Sequence, residues 1–312
     1  LLERFNRLEH IFYREINLGW LGKKDCAAII DNAIKMQRPM ANQCLALSKG
    51  NPLFLNIVLR YILDEKATGD DAQRLVIPNS IEKITLKRID QIVRKYNQPD
   101  YREILRRAAL MGETFSLQSV EALLRKDGQY NLLDCTSRAL DVWRREGILR
   151  RQYDSEGAFE FIHPYIVEFF NADSTPELHL NVARTKEVLG ENNIFINLED
   201  IAHHFKLAGD KKQAVRYLDV AANNAIQNTN FMKAKELYEE MLPLLDQETD
   251  RTLMLRINHQ LGDLSLRLSE YGPARDYFSR TLVLAEECND KHLEGIAYCG
   301  IAETALAQNR HE

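Results

Sequence analysis

The sequence predicts a mainly α-helical protein in which strands are confined to two short regions. Three observations predict this class. Apolar residues recur at helical spacing over most of the 312 residues. Residues 147–162 read as a strand, a turn at Asp154-Ser155-Glu156-Gly157 and a return strand, which indicates a β-hairpin. Beyond residue 200, small residues recur in pairs twelve positions apart, which favours stacked helices.

The composition is that of a soluble globular protein with material for two or three domains. The chain is 45% hydrophobic and 28% charged, and its net charge of −5 gives no global sign of binding to nucleic acid or to an anionic membrane. Its five cysteines are scattered without a CxxC pair, so we expect a reducing, cytoplasmic location. No apolar run approaches the ~20 residues of a membrane span. The first residue is Leu rather than Met, and we interpret the chain as part of a longer protein.

The first part of the chain is predicted to contain one strand and three helices. The strand is expected at 10–18, where β-branched and aromatic residues partly alternate. The first two helices are expected at 23–36 and 39–48, and a polar linker at 66–76 follows the third.

A sharp corner is predicted between the second and third of these helices. Gly50 can end a helix in the left-handed conformation at little cost. Helical backbone angles are unfavourable for Asn51 because it precedes a proline, and Pro52 can begin the next helix. Only two residues between 53 and 63 are polar, so we expect this helix to be buried on most sides. Taken alone, the corner indicates an ordinary helix–turn–helix.

The middle of the chain predicts the winged-helix arrangement of three helices and a β-hairpin. Ser80 and Ser116 are candidate helix caps. The predicted helices and strands are 81–95, 101–111, 117–125, 131–146, 147–153 and 158–162.

Five arginines on the last helix and first strand of this module raise the question of DNA binding. They are Arg138, Arg144, Arg145, Arg150 and Arg151. Recognition of DNA needs basic groups for phosphates, but Asp134, Asp141 and Glu146 share the segment and leave it with a net charge of only +2. An intramolecular packing module is the favoured interpretation, and direct DNA binding is the alternative.

The last part of the chain predicts helical repeats. Its small-residue pairs are Ala202 with Ala214, Ala222 with Ala234, and Gly262 with Ala274; Leu218, Tyr238 and Phe278 follow four residues later. A small residue on each of two antiparallel helices permits close approach, and the large residue fills the adjacent space. The pattern resembles the tetratricopeptide repeat of ~34 residues. Its register is ambiguous, because 211–227 fits either helix of a pair, and Gly300 fits the start of a further copy.

The sequence contains no recognisable active site. It lacks the phosphate-binding loop G-x-x-x-x-G-K-[ST], the G-x-G-x-x-G, G-x-S-x-G and H-E-x-x-H motifs. His203 and His204 are adjacent on a predicted helix and so point about 100° apart, which makes them a poor metal pair. We expect them to pack beside or cap the turn at Gly209. We therefore predict no catalytic residue and no metal ligand in this chain.

The order of these segments resembles the C-terminal half of a STAND-class signalling ATPase of the cyclase- and maltose-regulator-associated type. Gly50-Asn51-Pro52-Leu53 resembles the G-x-P motif of its helical lid. Residues 108–115 resemble its A-x-x-G-x-x-F phrase. Phe161-Ile162-His163 resembles the F-x-H phrase that closes the wing. Residues 202–214 resemble the first repeat.

This resemblance implies a mainly α fold with a helical lid of a AAA-type ATPase, a winged-helix domain and a tetratricopeptide-like α-solenoid. The implied domains are 1–22 as the end of the ATPase α/β core, 23–67 as lid, 77–172 as winged helix and 173–312 as repeats. It also implies a partial ATP/ADP site. Gly50, Asn51, Pro52 and Leu53 would form its lid side, with Pro52 against adenine. His163 would reach the β-phosphate of ADP, although Pro164 stands where relatives have Asp.

The implied function is that of a regulatory segment in a nucleotide-switched ATPase. Its expected partners are the missing P-loop core of the same parent chain and a protein or peptide at the repeats, without a membrane or nucleic acid. The parent is expected to bind ATP and hydrolyse it slowly. Two alternatives stay open: a DNA-binding winged-helix transcriptional regulator, and a non-enzymatic tetratricopeptide scaffold. Without the family pattern, His163 is favoured as a buried packing or capping histidine.

Overall fold

The computed structural model describes residues 19–34, 38–67, 77–152, 157–191, 197–246 and 249–309. These residues are mainly α-helical, which confirms the predicted fold class. The chain divides into two compact units, Leu1–Arg102 and Glu103–Glu312. The strand predicted at 10–18 and most of the linker predicted at 66–76 lie outside the described residues.

Four helices form the described part of the first unit. They are α1 (Lys23–Ala33), α2 (Arg38–Ser48), α3 (Pro52–Ala67) and α4 (Ile81–Tyr96). Helix α3 packs against both α2 and α4 and buries Leu55, Val58 and Ile62. The buried Arg88 of α4 donates from Nε to Asp64 of α3 at 3.2 Å, so the ion pair adds to the apolar packing.

One prediction about these helices needs correction. Helix α1 ends at Ala33, short of the predicted residue 36, because Ile34 is extended (φ −150°, ψ 126°). Helix α3 is buried on most sides, as predicted. Its exposed residues share one face, where Leu53 (40% exposed) and Leu63 (45% exposed) lie beside Asn56 and Arg60.

A three-stranded antiparallel sheet and three helices begin the second unit. Their order is α5 (Asp100–Leu110, which starts just before the unit boundary), β1 (Thr114–Ser116), α6 (Leu117–Lys126), α7 (Leu133–Arg145), β2 (Leu149–Arg151) and β3 (Ala158–Phe161). The sheet order is β1-β3-β2, with Phe115 opposite Phe159 and Leu149 opposite Phe161. The two strands of the hairpin agree with the prediction, and most of the turn predicted at 154–157 lies outside the described residues. Strand β1 was missed, and the predicted helix 131–146 opens with a 3₁₀ turn at Tyr130–Leu132.

Consecutive helices make up the rest of the second unit. They are α8 (Tyr165–Ala172), α9 (Pro176–Glu191), α10 (Leu198–Leu207), α11 (Lys211–Gln227), α12 (Phe231–Met241), α13 (Arg251–Arg267), α14 (Tyr271–Glu287) and α15 (Lys291–Asn309), with a 3₁₀ turn at Leu242–Leu244. From α9 onward each helix packs against the next. Short connections make such neighbours antiparallel.

The breaks between these helices follow local backbone chemistry. Asp210 caps α11 by accepting from the Gln213 amide at 3.1 Å, and Asn230 caps α12 by accepting from the Lys233 amide at 3.3 Å. The break predicted at Tyr271-Gly272-Pro273 falls earlier, because α14 already begins at Tyr271. A proline is tolerated in the first helical turn, where its missing N–H has no helical partner.

A single ring links three helices of the array. The Phe278 ring of α14 lies against Gly262 of α13 and Gly300 of α15; a Cβ added at these glycines would lie 2.7 Å and 2.6 Å from the ring. We call Phe278, Gly262 and Gly300 the phenylalanine joint. Its packing matches the small-and-large pattern in the sequence and extends it to α15. Helix α11 packs against both α10 and α12, so the repeat register upstream stays ambiguous.

Candidate functional site

The predicted corner at Gly50 is formed by two left-handed residues and a helix cap. Lys49 and Gly50 have φ of 47° and 82°. The Asn51 amide donates to the Ser48 carbonyl at 2.8 Å. Asn51 Oδ1 accepts from the Leu53 amide at 2.9 Å and from the Phe54 amide at 3.4 Å, so its side chain caps α3. The corner therefore holds α2 and α3 in a fixed arrangement.

Glycine is required at position 50 for a second reason. The Leu21 amide donates to the Gly50 carbonyl at 2.8 Å and brings residues 20 and 21 against the corner. A Cβ on Gly50 would lie 2.7 Å from the Leu21 carbonyl oxygen and 3.1 Å from Trp20 Cβ. A side chain there would be strained by φ and also obstructed by backbone.

Apolar side chains are exposed around this corner. Pro52 and Leu53 are exposed although they begin a helix that buries Leu55 two residues later. Trp20 is 70% exposed. A depression of about 450 Å³ lies beside the corner and is lined by Leu21, Lys23, Cys26, Asn42, Leu45, Ala46, Lys49 and Gly50. The four lid residues named from the sequence thus lie together, with Pro52 and Leu53 open to solvent.

His163 lies in the second unit, between β3 and α8. Its side chain is 4% exposed and stacks on the Tyr165 ring, with centroids 5.4 Å apart and planes 21° apart. The Ile166 amide donates to the His163 carbonyl at 3.1 Å, so the residue also opens the turn into α8. This is the environment of a packing histidine. Its contact with a nucleotide stays a prediction.

Two of the five arginines considered for DNA binding, Arg144 and Arg150, have acidic neighbours. Arg150 donates from Nε and a terminal nitrogen to both carboxylate oxygens of Glu160 across the hairpin, at 2.9 Å and 2.8 Å. Arg144 Nε lies 3.2 Å from Asp141 Oδ1 on α7. These guanidinium groups already face carboxylates, which disfavours their use on phosphates.

A buried polar chain, which the sequence did not predict, joins α8, α9 and α10. His179 Nε2 lies 3.2 Å from the Asn171 carbonyl oxygen, and His179 Nδ1 lies 3.0 Å from His204 Nδ1. His204 Nε2 lies 3.2 Å from Lys186 Nζ, which also binds Asp200. We call Asn171, His179, His204, Lys186 and Asp200 the histidine joint. Its two rings are 3% and 1% exposed.

Burial dominates the electrostatics of the histidine joint. It lowers the pKa of His204 to about 2, and positive charge on Lys186 acts in the same direction, while a hydrogen bond to the Leu110 carbonyl opposes the shift. Burial also lowers the pKa of His179, against the effect of its bond to the Asn171 carbonyl. The pKa of Lys186 is lowered by burial too, and Asp200 opposes that shift. Both imidazoles are therefore neutral near pH 7.

The adjacent histidines 203 and 204 have different surroundings. Their rings meet edge to face at 5.8 Å, but His203 is exposed, whereas the His204 ring turns towards His179. The expected link to the Gly209 turn consists of a backbone bond, from the Ala208 amide to the His204 carbonyl at 2.9 Å. Among the described residues, no group of three or more His, Cys, Asp or Glu side chains is arranged to hold a metal.

Comparison with known proteins gives distant likeness to solved structures only. No protein-family model matches the sequence, and no curated protein matches it. A solved structure from Pyrococcus horikoshii, of a Signal Transduction ATPase with Numerous Domains (STAND) protein with a tetratricopeptide repeat sensor, is similar at 16% identity and a TM-score of 0.38. The match covers 94% of this chain and 45% of that chain, so this chain spans less than half its length. At that TM-score the likeness does not assign a function.

No helix within the described ranges is both long enough and apolar enough to cross a membrane.

Proposed function

We propose that this chain is the lid-and-sensor part of a nucleotide-switched STAND signalling ATPase, and that its helical array binds a protein or peptide partner. The observation that carries the proposal is the succession of packed antiparallel helices from α9 to α15, the last three of which meet at the phenylalanine joint. Arrays of this kind expose an extended surface that is suited to binding another protein. The nucleotide half of the proposal also draws on the G-x-P and F-x-H phrases.

The corner geometry supports a nucleotide contact. The Asn51 cap fixes the start of α3, and the exposed Pro52 and Leu53 present apolar surface there. An adenine base has an apolar face that such side chains can cover. The phosphates would be held by the P-loop core of the parent chain, which also supplies the slow ATP hydrolysis.

The proposed mechanism is a two-state switch. ADP holds the lid and the β-hairpin module against the core, and a partner at the repeats favours the open state, in which ADP exchanges for ATP. For His163 to reach the β-phosphate, the stack on Tyr165 must rearrange, because the histidine is 4% exposed. In the full-length protein, His163→Ala is expected to speed ADP release and raise basal activity; unchanged values for both would contradict this role.

The contact of Leu53 with adenine can be tested against a matched control on the same helix. Leu53 and Leu63 are 40% and 45% exposed on α3. In the full-length protein, Leu53→Ala is expected to accelerate dissociation of a fluorescent ADP analogue about tenfold, the equivalent of about 1.4 kcal/mol of lost contact. Leu63→Ala is expected to leave the rate unchanged. Equal rates in both variants would contradict the lid contact.

Residues 1–312 alone are expected not to bind ATP at micromolar concentration, because Pro52 and His163 do not form a phosphate cradle. Isothermal titration calorimetry measures this directly. Micromolar affinity in this chain would overturn the assignment of the phosphates to a separate core. A full-length protein that binds no nucleotide at all would instead favour the scaffold function.

Direct DNA binding is not proposed as a second function. Arg150 and Arg144 are paired with Glu160 and Asp141. Salt-dependent binding of this chain to duplex DNA would contradict that choice.

A further inference from the structure

The donors and acceptors of the histidine joint fix one tautomer for each ring. The Asn171 carbonyl can only accept, so His179 Nε2 carries a proton and donates to it at 3.2 Å. In a neutral ring, His179 Nδ1 is then an acceptor. His204 Nδ1 must donate to it across the 3.0 Å contact. The two rings therefore have opposite tautomers.

The other end of the chain requires the same assignment. An ammonium group can only donate, so Lys186 Nζ donates to His204 Nε2 at 3.2 Å. That leaves the proton of His204 on Nδ1, in agreement with its donation to His179 Nδ1. The hydrogen bonds thus run in one direction from Lys186 through both rings to Asn171, and each acceptor position on the rings is occupied. The Leu110 carbonyl also accepts from His204, as a side branch of this chain.

We propose that the histidine joint is a proton-sensitive latch: acidification opens the contact of α9 with α8 and α10, while the array from α11 to α15 stays folded. A proton added to His179 would place two N–H groups face to face between the rings. A proton added to His204 would place an N–H against the Lys186 ammonium. Neither ring can accept a proton without breaking the chain.

Most charged groups around the rings disfavour an added positive charge, and the hydrogen bond of His204 to the Leu110 carbonyl acts in the opposite direction. Lys186 and His203 face His204, and Lys186, Arg106 and His203 face His179. The carboxylate close to the rings is Asp200, whose Oδ1 lies 3.6 Å from His204 Nε2 and which already binds Lys186. Outside these, Lys206 and Glu240 act on His203, which is exposed. Protonation is therefore favoured mainly in an opened state.

The opening on acidification is expected to be local, because the contacts from α11 onward are mainly apolar and those around α9 are polar. Arg106 also ties α5 to the segment after α8, donating to the Asp173 carbonyl at 2.7 Å. From α11 onward the core is dominated by apolar side chains such as Leu218, Tyr238 and Leu261. Below pH about 6.5, each buried histidine shifts the opening equilibrium by up to about tenfold per pH unit.

Nuclear magnetic resonance of the chain with ¹⁵N-labelled histidine tests the wiring. The eight histidines can be assigned with single His→Gln variants. At pH 7.5 we expect His204 as the Nδ1–H tautomer and His179 as the Nε2–H tautomer, neither titrating before the contact opens. An Nε2–H tautomer at His204 would overturn the proposal. So would two unprotonated Nδ1 atoms in the presence of zinc, which would indicate a bridging metal.

Amide hydrogen exchange, corrected for its intrinsic pH dependence, tests the opening. Between pH 7 and pH 5 we expect exchange in α9 and α10 to rise by about a hundredfold or more. Exchange in α13 and α14 is expected to stay unchanged. The paired variant His179→Gln/His204→Gln should lose most of the pH dependence, whereas His292→Gln should retain it. Equal acceleration in α9 and α14, or a pH dependence retained by the paired variant, would contradict the latch.

Discussion

The phenylalanine joint and the histidine joint each hold three helices together, but through different chemistry. In the first, the Phe278 ring fills space that two glycines leave open. In the second, two buried rings, an ammonium group and a carbonyl form a directed hydrogen-bond chain. The three residues of the phenylalanine joint do not titrate, although the His259 ring packs edge to face against Phe278 at 6.0 Å, whereas the polar joint is formed only by neutral histidines. The apolar contact that stabilises α13 to α15 and the pH-sensitive contact of α8 to α10 thus lie at different places in one helical array.

Removal of the Phe278 ring is expected to have the largest effect on stability. Phe278→Ala should lower the free energy of unfolding by about 3–5 kcal/mol, because it empties a fully buried space between three helices. Val283→Ala on the same helix is the control, since Val283 is 54% exposed, and should change stability by less than about 0.5 kcal/mol. Urea unfolding at pH 7.5 measures both. Similar losses of unfolding free energy in both variants would show that the Phe278 ring does not hold the three helices together.

Acidification is expected to affect the histidine joint by a smaller amount. The folded-state pKa values of His179 and His204 lie below the ordinary value of 6.5, so below that pH the unfolded chain binds more protons than the folded one. Their contribution is complete above pH 6.5 and is lost as the pH falls towards the folded values. The titration of His204 alone should lower the free energy of unfolding by about 2 kcal/mol between pH 7 and pH 5.

Unfolding curves at several pH values separate the two joints. His179→Gln/His204→Gln should flatten the dependence on pH. Phe278→Ala should shift the whole curve and keep its slope. A loss of slope in Phe278→Ala would show that the joints are coupled.

Two glycine substitutions are expected to have effects of opposite sign on stability, and the stabilising one is the smallest effect predicted. Gly262→Ala should cost about 1–3 kcal/mol, because its new Cβ would meet the Phe278 ring at 2.7 Å. Gly295→Ala on α15 should stabilise by about 0.5–1 kcal/mol, since no atom lies within 4 Å of its Cβ position and alanine is the better helix former. Thermal unfolding distinguishes the two. Stabilisation by Gly262→Ala would mean that the ring moves aside freely.

Features set by neighbouring residues could be predicted from the sequence. The corner at Gly50, the Ser116 cap and the hairpin each follow from a few adjacent residues, and the structure contains all of them. The pattern of Gly262, Ala274 and Phe278 predicted the packed helix pair α13–α14. Roles of Pro52 and His163 at a nucleotide came from a family pattern, so they stay predictions, as do the domain boundaries.

Features that depend on distant partners were missed. Strand β1 is three residues long and exists because it pairs with β3, more than forty residues later. His179 and His204 are 25 positions apart on different helices. One signal was available: Ile201, Ala202 and Phe205, which surround His204 in the sequence, are apolar and buried, so a histidine on that face needed a polar partner. The sequence could not name it.

The ring of Phe278 belongs to two successive helix pairs, because it lies between Gly262 and Gly300. Ending the chain between α14 and α15 would expose one face of this ring to solvent and leave an apolar surface that favours aggregation. A truncated or duplicated array therefore keeps this packing only if the segment from Gly262 to Gly300 is removed or copied as a whole.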